Sequence, residues 1–322
     1  MSVIEMKNFI GVQESGQDVL GKFLYFSLSS VLIERGTLAQ ICEDMGLPVS
    51  LGARISTVDA FKSATGDLYE RIVTKNSGEV TISKVYCRDN QTAGSVYSRE
   101  LVKETLDEST NHYKKLANLS FDKEYDHFSY SAEGYDADVD AYTLCEKAEE
   151  LFRLYKDCAG KSQIETLTES FLSHMESLKI SVRGRLFFVP KKHMHMVNLF
   201  EDFVEALNAN NKRGGQLIVN SMFVVDDAKQ RGKMTAEFYT ATRKEIELYM
   251  EKVEHLISSG SQSPAIMERW ITKVERLEEK KNHYEEILKQ ELDQLDDQYD
   301  TLRFLASELS ARVNAIRVKK AA

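Results

Sequence analysis

Two histidines at two-residue spacing are the first candidates for chemistry in this sequence. His193 and His195 follow an apolar segment that ends at Pro190. On a continuing strand the two imidazoles would share a face and could bind a metal ion. The proline ends the strand first, and no third ligand is spaced to join them. Solvated histidines at the start of a helix are the favoured interpretation, so the sequence predicts neither a metal site nor a cofactor.

Three aspartates alternate in the pattern of a calcium-binding loop. Asp136, Asp138 and Asp140 have the right spacing, but the sharp turn of such a loop needs a glycine where Ala141 stands. The bidentate glutamate of the twelfth position is replaced by Lys147. Carboxylates before a helix are better explained by N-capping, because they stabilise the positive end of the helix dipole.

A third candidate is Gly160-Lys161-Ser162, which looks like the end of a phosphate-binding loop. That motif requires a glycine where Tyr155 stands, and it follows a strand, whereas a helix is predicted here. The sequence also lacks the G-x-S-x-G and H-E-x-x-H motifs. Catalysis is therefore not the favoured interpretation, although triads whose members are distant in sequence leave it open.

A basic patch between residues 183 and 233 is the strongest candidate for ligand binding. This segment contains nine basic and five acidic residues, so its net charge is positive whereas that of the whole chain is negative. Phosphate contacts from such a patch would bind polynucleotide without sequence preference, and Phe187 and Phe188 would add stacking if exposed. The alternative is a solvated sheet edge over a plain core. The patch, which also contains Lys229, comprises Arg183, Arg185, Lys191, Lys192, Lys212, Arg213, Arg231 and Lys233.

Strands and helices alternate over the first two thirds of the chain, and they must position these residues. Aromatic and β-branched segments predict strands at 22–31, 79–88 and 186–189, a hairpin over 116–132, and a second buried strand at 216–225. Ser56 or Thr57 begins one helix, and Asp138 or Asp140 begins another. This order predicts an α+β fold with a mainly antiparallel sheet and packed helices.

The last third of the chain changes character. From Thr235 apolar residues recur at helical spacing to about Ser258, and after Pro264 neither proline nor glycine occurs again. Sustained three-four spacing predicts a long C-terminal antiparallel helical hairpin or coiled coil. We therefore expect an α+β domain over 1–230 and a coiled-coil arm over 235–322.

The second helix of this arm is predicted to outrun the first, at roughly 80 Å against roughly 36 Å. A stutter in the repeat, from Tyr284 through Leu288 to Leu292, falls near the changeover, and Lys281 is out of character in the stripe. The overhanging stripe must be buried, either in a homo-oligomer or on the α+β domain. As an oligomer seam it comprises Leu292, Leu295, Tyr299, Leu302, Leu309, Val313 and Ile316.

Two stretches carry a resemblance to a known family. Residues Leu20 to Gly66, with Thr57-Val58-Asp59-Ala60-Phe61 in their second helix, resemble the start of an uncharacterised family from bacteria, archaea and their phages. Residues Gly184 to Leu207, with Phe188-Val189-Pro190, are similar to that family's G-x-x-Y-F-V-P strand and following helix. The resemblance implies a prokaryotic or phage source and an α+β body. The family is a domain of unknown function, so it implies no site residues.

Composition sets the remaining bounds. The 322 residues are 42% hydrophobic and carry a net charge of -9, which argues against a surface that is basic throughout. Four scattered cysteines are expected to be small buried residues. The N-terminus has no signal-peptide pattern and no apolar run is long enough for a membrane span, so a cytoplasmic location is expected.

These observations favour a non-enzymatic binding or scaffolding protein. It would oligomerise or dock a protein partner through its C-terminal coiled coil, without contact to a membrane. The alternative is a nucleic-acid-binding accessory protein of a phage or mobile element that uses the basic patch.

Overall fold

A computed structural model of the chain describes residues 18–47, 54–76, 79–90, 92–106, 111–180, 185–260 and 263–321. The chain divides into two compact units. The first unit comprises Met1–Leu28, Thr168–Ala206 and Leu217–Ala322, and the second comprises Ser29–Leu167 and Leu207–Gln216. The fold is α+β, as predicted. The predicted division into a domain over 1–230 and an arm over 235–322 stays a prediction.

The elements are numbered in chain order. The strands are β1 (Val19–Ser27), β2 (Leu32–Glu34), β3 (Tyr69–Asn76), β4 (Glu79–Asp89), β5 (Val96–Leu106), β6 (His112–Asp122), β7 (His127–Ala132), β8 (Cys158–Gly160), β9 (Leu178–Lys179), β10 (Leu186–Pro190) and β11 (Ile218–Val225). The helices are α1 (Arg35–Asp44), α2 (Thr57–Gly66), α3 (Ala141–Asp157), α4 (Lys161–His174), α5 (Met194–Ala209), α6 (Ala228–Ser258), α7 (Pro264–Leu288) and α8 (Asp296–Ala321). No described helix is both long enough and apolar enough to cross a membrane.

The first unit is built on a four-stranded antiparallel sheet in the order β11-β1-β10-β9. One face of β1 carries Phe26, which packs on Phe200 of α5 at 5.1 Å between ring centroids. The other face belongs to a core that joins Phe188 of β10 to Phe238 of α6 and Tyr284 of α7. Helices therefore cover both faces, as the apolar sequence of β10 predicted.

Glycine is required at one position of this sheet. A Cβ at Gly21 would lie 2.0 Å from the carbonyl oxygen of Val189, which belongs to the paired strand β10. No side chain can occupy that space without moving the backbone. Gly21 thus permits the close approach of β1 and β10.

The prediction that the segment 216–225 is a buried strand is wrong in its burial. β11 is a strand, but it pairs only with β1 and lies at the edge of the sheet. Ile218 and Phe223 remain 42% and 39% exposed. Its uncharged, apolar sequence is typical of a central strand, and the pairing that leaves it at the edge cannot be read from the segment alone.

The C-terminal region contains three described helices, α6, α7 and α8, where a two-helix hairpin was predicted. The second helix stops at Leu288 because Lys289 adopts the left-handed conformation, with φ of 55°. The chain then continues through a short 3-10 turn at Asp293–Leu295 into α8. The break lies within the predicted stutter, so that irregularity marks a reversal of the chain.

Lys281, the residue out of character in the stripe, is held by charge. Its ammonium lies 2.7 Å from Asp296 and 3.3 Å from Glu285, above the ring of Tyr299. Burial lowers the pKa of Lys281, but the hydrogen bonds that its ammonium donates to Asp296 and Glu285 outweigh the burial, and the pKa is raised. The lysine therefore links α7 to the start of α8.

The second unit is built on a five-stranded antiparallel meander in the order β3-β4-β5-β6-β7. One of its faces packs against α2 and α3 through a core that includes Phe61, Phe121 and Phe152. Ser56 caps α2 and Asp140 caps α3 by accepting backbone N–H groups, as predicted. The strands β3 and β5 were not predicted. All four cysteines are buried, as expected.

Candidate functional site

The structure divides the predicted basic patch between the two units. Arg185, Lys191, Lys192, Arg231 and Lys233 belong to the first unit, and Lys212 and Arg213 belong to the second. Arg183 lies outside the described residues. Whether the patch binds polynucleotide stays a prediction.

Four of these cations meet carboxylates of their own unit. Lys191 lies 3.3 Å from Asp18, Lys192 lies 2.9 Å from Glu176, and Arg213 lies 2.7 Å from Asp67. Arg231 pairs with Asp226. Each pairing reduces the charge that the side chain presents to a phosphate, so these residues are weaker ligand-binding candidates than their sequence suggests.

The two phenylalanines of the patch do not offer free rings. Phe188 is fully buried, and Phe187 stacks on Phe26 at 5.7 Å between ring centroids. The guanidinium group of Arg185 lies over the Phe26 ring, 5.6 Å from its centroid. Phe188 thus belongs to the core, and Phe187 is partly buried with its ring held against Phe26.

The histidine pair is separated by the start of the helix. His193 lies in a 3-10 turn before α5, with its Nε2 atom 3.7 Å from the carboxylate of Glu176. Burial lowers the pKa of His193. Within the described residues no group of three histidine, cysteine or acidic side chains is placed to hold a metal ion.

Lysines occupy the aspartate cluster that resembled a calcium loop. Lys103 lies 2.8 Å from both Asp136 and Asp138, and Lys114 lies 3.0 Å from Asp136. Burial raises the pKa of Asp136, but hydrogen bonds from both lysines lower it to about 2. The cluster thus fixes the segment between β7 and α3 to the sheet.

Another surface collects exposed aromatic and basic side chains, and sequence reasoning missed it. It is the face of the five-stranded sheet opposite α2 and α3, and we call it the tyrosine face. Side chains alternate along a strand, so residues that are two apart share this face. Its central residues are Tyr69 and Arg71 of β3, Lys84, Tyr86 and Arg88 of β4, Glu100 and Glu104 of β5, and Tyr113 of β6.

The pairing register places these residues in rows across the strands. Tyr69 lies opposite Tyr86, and Arg71 lies opposite Lys84. Lys84 in turn lies opposite Glu104, which lies opposite Tyr113. Tyr69 is 58% exposed and Tyr113 is 54% exposed. Two exposed aromatic rings and two opposed cations thus share one face of this sheet.

Both carboxylates of the tyrosine face are satisfied by the protein. Glu104 accepts hydrogen bonds from Tyr113 at 2.9 Å and Asn111 at 2.7 Å, and from Tyr86. The bond from Tyr113 contributes most to lowering the pKa of Glu104. Glu100 accepts two hydrogen bonds from Arg88, at 3.0 and 2.8 Å, which lower its pKa.

Two cations of this face lie side by side. Arg71 and Lys84 occupy directly opposed positions on adjacent strands, where like charges disfavour strand pairing. Within the described part of the chain Arg71 makes no ion pair, and its side chain is exposed. An anion bound between them would remove the repulsion, so this pair is a candidate anion-binding element.

The spacing of the residues contained a signal for this face. Tyr69, Arg71 and Val73 alternate along one segment, and Lys84, Tyr86 and Arg88 alternate along the next. This alternation predicts a shared sheet face only when both segments are known to be adjacent strands. Because β3 was not predicted, neither segment could be assigned to a common face.

The comparisons with known proteins identify a family. The model of a family of unknown function, DUF6744, matches residues 19–317. The protein belongs to this family. No curated protein and no solved structure matches the chain. The resemblance drawn from Leu20 to Gly66 and Gly184 to Leu207 to an uncharacterised family is confirmed, and DUF6744 membership covers both of the compact units.

Proposed function

We propose that this DUF6744 protein is a non-enzymatic binding protein whose ligand is a single-stranded polynucleotide held on the tyrosine face. The observation that carries the proposal is the exposure of Tyr69 and Tyr113 beside the opposed cations Arg71 and Lys84. The proposal keeps the ligand class of the nucleic-acid hypothesis and moves it from the basic patch to another surface.

Stacking supports this ligand class. An exposed tyrosine ring can stack on any base, and such a contact is worth about 1–3 kcal/mol per base. Tyr69 and Tyr113 belong to strands β3 and β6, which are three strand spacings, or about 14 Å, apart. A chain of nucleotides crossing the strands would meet both rings. In a duplex the faces of the bases are stacked on each other, so a single strand is the better match.

Charge supports the same ligand. Phosphate groups are anionic, and Arg71 and Lys84 are cations that, among the described side chains of this face, do not donate to its two carboxylates. Arg88 lies 5.7 Å from the centroid of the Tyr113 ring, which holds the ring beside its guanidinium group. The hydrogen bonds that occupy Glu100 and Glu104 also direct these carboxylates toward protein donors.

The test is fluorescence anisotropy with a labelled oligothymidylate at low and at moderate salt. The double variant Tyr69→Ala and Tyr113→Ala is expected to bind at least about tenfold more weakly, because two stacking contacts are lost. The matched control is Tyr125→Ala with Tyr135→Ala, since these tyrosines are 75% and 88% exposed and follow other segments of the same unit. That control is expected to bind as the unchanged protein does.

The charge arm of the test uses Arg71→Gln. Replacing one phosphate-binding cation should lower the steepness of the salt dependence by about one unit in a double-logarithmic plot. Absence of binding at low salt would overturn the proposal. Binding that survives the tyrosine variants but is lost in Lys191→Gln with Lys192→Gln would return the site to the basic patch.

For the C-terminal helices we propose a scaffold role within one chain. Six side chains of the predicted oligomer seam are buried among α6, α7 and α8, with Leu302 and Leu309 fully inaccessible, and Leu292 is buried in the core that includes the four-stranded sheet. Because these helices bury their apolar stripe against each other, a partner protein can bind only to the outer surface of the bundle. Gel filtration of the chain mixed with a candidate partner protein would reveal binding as a co-eluting species.

A further inference from the structure

The edge strand β11 is the least protected part of the first unit. It pairs with β1 over its whole length, from Ile218 opposite Ser27 to Val225 opposite Val19. In the sheet order β11-β1-β10-β9 no described strand lies on its other side. Half of its backbone N–H and C=O groups therefore face away from the sheet, as in any edge strand.

Its sequence lacks the residues that normally prevent edge pairing. Proteins protect sheet edges with charged side chains, prolines, bulges or very short strands. The eight residues of β11, Ile-Val-Asn-Ser-Met-Phe-Val-Val, contain no charge, no proline and no glycine. Ile218 adds exposed apolar surface, and Phe223 is partly exposed with the Lys22 ammonium over its ring, 5.1 Å from the centroid.

The opposite edge of the same sheet is protected. β9 consists of only two residues, Leu178 and Lys179, and the second is a lysine. Both devices, short length and charge, discourage an approaching strand. The two edges of one sheet thus differ in a way that favours pairing at β11 alone.

We infer that β11 is the docking edge for a second copy of this chain, which pairs its own β11 in antiparallel orientation. A copy brings a strand of equal length that is also uncharged, so no charge would be set against Ile218 or Phe223. The arrangement closes, because a two-fold pairing uses the same edge of both molecules. The outer edges of the joined sheet are then the two protected β9 strands, and assembly stops at the dimer.

This inference does not depend on the proposed function, since β11 and the tyrosine face belong to different units. It also differs from the oligomer predicted through the C-terminal seam, whose residues are buried within the same chain. The surface on which the copies meet is the edge of a sheet.

The experiment is light scattering behind size exclusion on the full chain over a range of concentrations. The unchanged protein is expected to show the mass of a dimer. Ile218→Lys and Asn220→Lys each place a charge on the edge strand, at positions whose neighbours in β1 of the same chain, Ser27 and Tyr25, are uncharged. Each variant is expected to show the mass of a monomer. Ile266→Lys in α7 is the matched control, because Ile266 is also 42% exposed, and it should leave the dimer intact.

Hydrogen exchange provides a readout that does not depend on a variant. On dilution below the dissociation midpoint, amides of β11 that face outward should lose protection while those of β10 keep theirs. A monomer at every concentration would overturn the inference. A dimer that resists both β11 variants, or one that dissociates in Ile266→Lys, would also overturn it and place the interface on the helices.

Discussion

The hydroxyl group of Tyr284 donates a hydrogen bond to the backbone carbonyl oxygen of Glu176 at 3.0 Å. Tyr284 lies in α7 and is fully buried, while Glu176 follows α4 in the left-handed conformation with φ of 48°. The bond therefore fixes an irregular turn beside the sheet to the C-terminal helices. The Glu176 carboxylate meets Lys192 and His283 at the same turn.

The Tyr284→Phe variant tests that bond. It removes one partly buried hydrogen bond and keeps the ring, so the free energy of unfolding should fall by about 0.5–1.5 kcal/mol. Tyr284→Ala should cost about 3–5 kcal/mol, because it also removes packing on Phe238 and Phe188. Urea unfolding measures both values. Equal stability of Tyr284→Phe and the unchanged protein would mean that water replaces the hydroxyl donor.

Lys289 allows the backbone strain at the end of α7 to be measured. Its left-handed conformation costs roughly 1–2 kcal/mol in a residue with a Cβ and little in glycine. Its ion pair with Asp226, at 2.8 Å, is exposed and contributes about 0–1 kcal/mol. Both Lys289→Gly and Lys289→Ala lose the ion pair, so the difference between them reports the backbone alone. We expect Lys289→Gly to be more stable than Lys289→Ala by about 1 kcal/mol. Thermal unfolding compares the two, and the opposite ranking would show that the helix does not end in this way.

Two glycines are expected to respond in opposite directions to alanine. Gly21→Ala forces β1 away from β10 and should destabilise the protein by about 1–3 kcal/mol. Gly232 lies in α6 with nothing within 4 Å of an added Cβ, so Gly232→Ala should stabilise the helix by about 0.5–1 kcal/mol. Denaturant midpoints report both changes. A neutral Gly21→Ala would contradict the close approach of the two strands.

Acid stability should reflect the ion pairs of Asp136. Because its folded pKa is about 2, below the unfolded value of about 3.9, the ionised carboxylate stabilises the folded state. This contribution is complete above about pH 4 and is lost as the pH falls toward about 2. The Asp136→Asn variant should lack that part of the acid dependence in a series of unfolding temperatures. An unchanged pH profile would mean that other carboxylates dominate the window.

Local chemistry made part of the fold predictable. Ser56 and Asp140 were identified as caps because their side chains accept N–H groups two or three residues away, and that geometry needs no tertiary contact. The stutter at Tyr284, Leu288 and Leu292 likewise reported a real change, the end of α7. The predicted number of C-terminal helices was wrong because α7 ends at a lysine in the left-handed conformation, Lys289. A helix end of this kind is not marked by a glycine or a proline in the sequence.

Long-range pairing was the part that the sequence concealed. β11 and β10 have similar apolar sequences, yet β10 is enclosed between β1 and β9 while β11 is at an edge. The tyrosine face was missed for the same reason, since its residues come from strands whose adjacency is known only once β3 is placed. The basic patch illustrates the opposite error, in which Lys192 and Arg213 seemed free until Glu176 and Asp67 were found beside them.

The position of β1 in its sheet affects how the protein folds during synthesis on the ribosome. Lys22 of β1 donates a hydrogen bond to Asn198 across 176 residues of sequence, and the neighbouring strands β10 and β11 also follow the segment Ser29–Leu167 of the second unit. At about 5–20 residues per second, the emerging chain holds β1 unpaired for roughly 10–35 s while the elements of the second unit are synthesised. Leu20 and Leu24, which end up buried, are available to molecular chaperones throughout that interval. The yield of folded protein should therefore depend on translation speed and on chaperone supply more than its modest size suggests.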